Sequence, residues 1–151
     1  MPDRPLFTRE SALRGSAVIA LSIADSTAVP AIAGSVRLFD NSFVPDAGTT
    51  RTELVAAETA LVGYPAGGYA LGDPFDPQAA PLGGAVSTYP IVNVAYASGA
   101  SVVIGGYWVE EDAAPNYVRE VFIYDPPRTL SLVGDGFPIA VQLGYGANAS
   151  V

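Results

Sequence analysis

The sequence predicts an all-β protein: an antiparallel β-sandwich of jelly-roll-like character, with one short helix and an N-terminal arm. Three observations lead there. Beyond residue 85, short runs rich in Val, Ile, Tyr and Phe recur at Thr88–Ala97, Ala100–Glu110, Tyr117–Tyr124, Thr129–Val133 and Phe137–Leu143. Turn-forming clusters divide them, at Ser98-Gly99, Asp112–Asn116, Asp125-Pro126-Pro127 and Gly134-Asp135-Gly136, and regular short strands with turns between them mark a sandwich or barrel. The last run alternates, with Phe137, Ile139, Val141 and Leu143 facing one way and Pro138, Ala140 and Gln142 the other, the period of a strand with one buried face. By contrast Val102–Val109 is apolar on both faces, as expected of a central strand covered on both sides.

The preceding elements follow in chain order. Residues 1–15 mix Pro, Arg and acid without periodicity and read as an arm. Ala17–Ala24 places Ile19, Leu21 and Ile23 on one face and is expected to form a strand. Ser35–Asp40 is a second short strand, followed by a turn-like run over Asn41–Gly48. Thr50 to Leu61 is the helical candidate: Thr50 and Glu53 have capping-box spacing, Leu54, Glu58 and Leu61 share a face, and Gly63 would end it. Its thin apolar stripe predicts a short helix lying on a sheet. Residues 63–84 are rich in Gly, Pro and Asp and read as an ordered loop, because proline removes a backbone donor and fixes φ. The division is an arm with a strand over residues 1–35 and the sandwich domain over residues 36–151.

Composition then narrows the chemistry. Of the 151 residues half are hydrophobic and 15% charged, a balance against disorder. So little charge leaves apolar surface to be covered by a partner. There is no Cys, His or Lys, and all seven basic residues are Arg. Ser-His and Cys-His catalytic pairs, Schiff-base lysines and the commonest zinc ligands are therefore missing. The net charge of −8 repels nucleic acid and anionic membranes, so neither is expected as a partner. A secretory signal over the first residues is disfavoured, since Asp3 and Glu10 interrupt the basic region and Asp25 closes an apolar stretch of only eight residues.

The remaining candidates each have a plainer reading. Asp73 and Asp76 flank Phe75 in a Pro-rich loop, where a carboxylate pair would suit Ca²⁺ or glycoside hydrolysis; Asp-Pro turn chemistry is the favoured account. Glu110-Glu111-Asp112 is expected to be a solvated acidic turn at a strand end rather than a cation site. Tyr107, Trp108, Tyr117, Phe122 and Tyr124 would suit stacking on sugars, but core and interface packing is favoured. Arg4, Arg9 and Arg14 concentrate positive charge in the arm, and with Arg128 they are the candidate partner contacts. No residue is assigned a catalytic, cofactor-binding or metal-binding role, and no cofactor is expected.

The run Arg37-Leu38-Phe39-Asp40-Asn41-Ser42-Phe43-Val44-Pro45, then Glu53-Leu54, Gly63-Tyr64, Gly106-Tyr107-Trp108-Val109 and Pro127-Arg128-Thr129-Leu130, resembles a pattern in small β-sandwich virion proteins of tailed bacteriophages, of the capsid cement or decoration type. It covers roughly residues 36–145. The resemblance implies a non-enzymatic subunit on the capsid exterior that clamps the major capsid protein and self-associates, as a homotrimer. The alternative is a tail-associated or receptor- or carbohydrate-binding virion module.

Overall fold

The computed structural model describes residues 4–6, 33–75, 78–79, 85–112 and 116–145, with backbone alone for 4–6, 78–79, 85 and 144–145. Ala17–Ala24, Arg9, Arg14 and Asp76 lie outside the described residues. The strands are β1 (Arg4–Leu6), β2 (Gly34–Asp40), β3 (Tyr69–Leu71), β4 (Gln78–Ala79), β5 (Ala85–Thr88), β6 (Val92–Ala95), β7 (Val102–Glu111), β8 (Val118–Leu130), β9 (Gly136–Ile139) and β10 (Gln142–Tyr145). Among the described residues one helix, α1 (Arg51–Ala56), follows β2. One layer is a five-stranded sheet in the order β1-β8-β7-β2-β3; the other is built from β10-β5-β4 and the pair β6-β9. All the pairings are antiparallel. Both layers contribute to one core, where Val36, Leu38, Val109 and Tyr124 meet Val94, Ile139, Val141 and Leu143. The all-β sandwich expected from the sequence is the fold observed.

Strand alternation explains why β7 reads as apolar throughout. Tyr107 and Val109 point into that core, while Trp108 points the other way, onto Phe39, Leu54, Val118 and Val121. The second cluster is roofed by α1, whose capping box is formed as expected: the Thr50 amide donates to Glu53 Oε2 at 2.8 Å and the Glu53 amide to Thr50 Oγ1 at 3.4 Å. The Thr50 amide and hydroxyl, both donating to Glu53 Oε2, hold the exposed Glu53 carboxyl below its usual range. Gly106 lies beneath the Phe39 ring, and a Cβ there would collide with that ring and with the Phe122 carbonyl oxygen. Only glycine permits this approach.

Several boundaries differ from the expectation, each for a local reason. The helix stops at Ala56, not near Gly63, because Glu58 is drawn into an isolated bridge with Phe39 and the Thr59 amide donates to the Leu38 carbonyl at 3.0 Å. The loop over 63–84 contains two short strands, β3 and β4; glycines at positive φ, Gly67 and Gly68, turn the chain into β3. Arg4–Leu6, within the arm, pairs with Val121–Ile123 at the edge of the large sheet.

The two proline runs break strands differently. Asp125-Pro126-Pro127 is not a turn between strands: β8 runs from Val118 to Leu130 through it. Between Ile104 and Gly106 β7 advances two residues, whereas β8 advances five between Ile123 and Arg128. The surplus bulges out, where a proline without an amide costs the ladder nothing. The expected strand Thr88–Ala97 is split into β5 and β6 around Pro90, and Phe137–Leu143 into β9 and β10 opposite. Thr88 faces Gln142 and Val92 faces Ile139, so Pro90 again occupies a one-residue slip.

Candidate functional site

The outer face of the large sheet carries a network of charged side chains. Arg37 stands on β2 between the inward-facing Val36 and Leu38, directly opposite Trp108 on β7. Its guanidinium lies 5.2 Å from the centre of the Trp108 ring and bridges two carboxylates, bonding both oxygens of Glu58 and, at 2.8 Å, Glu110 Oε1. Arg51 reaches Glu110 Oε2 from α1 at 3.1 Å, and the Trp108 indole N–H donates to the same oxygen at 2.9 Å. Tyr64 donates to Glu58 Oε1 at 2.9 Å and accepts the Leu38 amide at 3.0 Å.

Electrostatics follow from these bonds. Burial would push the Glu110 carboxyl up, but the donors Trp108, Arg51 and Arg37 outweigh it and hold the group below its usual range. The Arg37 guanidinium is raised, chiefly by its bonds to Glu58 and against its own desolvation. Desolvation raises the Tyr64 hydroxyl. A carboxylate held ionised in this way is a poor general acid, and both faces of the Arg37 fork are occupied. The network fixes α1 and the 57–64 segment onto the sheet.

The acidic run Glu110-Glu111-Asp112 is therefore not the solvated turn expected from the sequence. Glu110 and Glu111 are the last residues of β7 and both are buried, with only Asp112 exposed. Alternation sends the two glutamates to opposite faces, where Glu110 meets Arg37 and Arg51, and Glu111 meets Arg119 at 3.4 Å. Among the described residues no group of three acids is placed to hold a metal ion. Of the five aromatics, Tyr107, Trp108, Phe122 and Tyr124 pack in the two apolar clusters, while Tyr117 is half-buried outside them: Tyr107 stacks on Phe122 at 5.1 Å, Tyr124 meets Phe137 edge-on at 5.5 Å, and Trp108 is wholly buried.

The surface is where large apolar side chains are left over. The loops 61–64, 96–100 and 131–135 gather at one end of the sandwich: a Cβ on Gly99 would touch Val62, Tyr96 donates to the Gly99 carbonyl, and the Gly134 amide donates to the Tyr96 carbonyl at 3.4 Å. There Val62 is 49%, Leu132 69% and Val133 78% exposed. The tip is held rigid by Asp135, whose carboxylate accepts the Ser131 and Leu132 amides at 2.8 Å each. Phe75 and Ile91, each 60% exposed, flank the β5–β6 junction, where the Phe75 amide donates to the Thr88 carbonyl at 2.8 Å. Asp73 is exposed in the same loop.

Of the candidate contacts, Arg128 is exposed on the β8 bulge with its guanidinium 5.1 Å from the Tyr124 ring centre. Arg4 pairs through its backbone with Ile123 of the same strand. Sequence reasoning missed the Arg37–Glu58–Glu110 network and the buried Glu120. For Arg37 the signal was a lone cation at an outward strand position; for Glu120 it was period-two alignment with Phe122 and Tyr124. Comparison with protein-family models, curated proteins and solved structures finds no match.

Proposed function

We propose that this chain is a non-catalytic structural subunit that works by assembly, as a cement or decoration protein on the outside of a tailed-phage capsid. One observation carries the assembly reading. Arg37, Glu58, Arg51 and Glu110 on the outer face of the large sheet are paired with one another, while Val62, Leu132 and Val133 stand in solvent on a rigid end of the sandwich. Apolar side chains concentrated on a fixed surface mark a contact site. The capsid and its major subunit as partner rest on the resemblance over residues 36–145. A homotrimer is the assembly proposed, closed symmetry being the rule for homo-oligomers. In this reading the arginines of the arm, Arg4, Arg9 and Arg14, together with Arg128, bind carboxylates of neighbouring subunits.

The double substitution Leu132→Asp with Val133→Asp tests it. Both side chains are exposed, so thermal stability should change little, by about 0.5 kcal/mol or less. Self-association or shell binding, measured by sedimentation, should be lost. Full assembly of this variant would contradict the reading.

A further inference from the structure

Among the described residues, Glu120 is a buried acid that makes no ion pair and whose side-chain hydrogen-bond partner is Tyr107. It stands on β8 opposite Val109, in period with the inward-facing Phe122 and Tyr124, and is 3% exposed. Its Oε1 lies 3.5 Å from the Tyr107 hydroxyl, the long limit of a hydrogen bond. Its Oε2 meets no donor.

The charged side chains of β7 are directed elsewhere. On β7, Glu110 faces the outer network and Glu111 faces Arg119, the residue beside Glu120 on β8. On β1, Arg4 lies opposite Ile123 rather than Glu120. Strands β5, β6, β9 and β10 of the facing layer carry no Asp, Glu, Lys or Arg. Tyr107 is thus the titratable group that touches Glu120 among the described residues. An ionised carboxylate in this position would be buried without compensation, a costly state.

We propose that Glu120 is a proton-operated catch in the sandwich core: with its carboxyl neutral, β7 and β8 close over the inner face, and loss of the proton loosens that packing. Burial raises the carboxyl to about 7 against the opposing hydrogen bond from the Tyr107 hydroxyl. The sign follows from linkage. A group whose folded value is raised above the unfolded one, near 4.5, contributes stability that is fully present below the unfolded value and is lost as pH rises through the folded one. The window runs from about 4.5 to about 7, so the domain is tightest in mild acid and loosens toward neutrality.

The test is urea unfolding of the full chain and its Glu120→Gln variant between about pH 5 and about pH 8. The amide keeps the shape of the acid and cannot ionise. Relative to the variant, the folded-to-unfolded ratio of the wild type should fall on the order of a hundredfold across that range. Parallel pH profiles for the two proteins would overturn the proposal. Should the variant not fold, a carbon-13 titration of the Glu120 carboxyl in the wild type decides it: a midpoint near neutrality supports the catch, and one in the ordinary carboxylate range overturns it.

Discussion

Replacing Val141 by Asp should unfold the domain or come close to it. Val141 is wholly buried in the core shared by the two layers, at the step between β9 and β10, and its carbonyl accepts the Tyr89 amide at 3.0 Å. A carboxylate there would have no described cation on its own layer to meet, and burying it costs at least about 3 kcal/mol, by ionisation or by forced protonation. That is a large part of the roughly 5–15 kcal/mol that holds a domain together. The neighbouring Gln142→Asp, on the exposed face, should change stability by no more than about 0.5 kcal/mol. Thermal melts of the two variants make the comparison, and a Val141→Asp protein with wild-type stability would contradict the facing of the last strands.

Arg37→Ala should cost about 3–5 kcal/mol, the range found when one partner of a buried ion pair is removed. The loss comes less from the missing bonds than from what they leave behind. Glu110 would stay buried with only Arg51 and Trp108 to satisfy it, and Glu58 would keep only Tyr64. The damage should be partly repaired by adding Glu58→Gln, which removes one of the stranded charges. Urea unfolding of the single and double variants measures this coupling. Strictly additive losses would show that Arg37 and Glu58 do not act as a unit.

The parts legible in the sequence were those governed by local period. The alternation of Phe137, Ile139, Val141 and Leu143 correctly gave the buried side of β9 and β10, with Phe137 at its half-buried margin. The doubly apolar Val102–Val109 gave the central strand, and Thr50 with Glu53 gave the helix start. What period cannot encode is a residue inserted into a ladder. Pro126-Pro127 and Pro90 look alike as punctuation, yet the first is absorbed within one strand and the second divides a ribbon in two. The difference lies in the partner strand, far away in sequence. The same distance hid the ion pairs: Glu110 acquires its meaning from Arg37, which is 73 residues away. As isolated letters Glu110-Glu111-Asp112 could only look like a charged turn.

The proposed role on a virion shell is tested most directly by counting copies on purified full capsids. The account predicts that the protein co-purifies at hundreds of copies per particle, the order of magnitude set by repeated symmetric shell sites. Its occupancy should fall with rising salt if the arm arginines dock on carboxylates, since exposed pairs are screened. A handful of copies would place the protein in the tail, and its absence from capsids at both low and high salt would contradict the account.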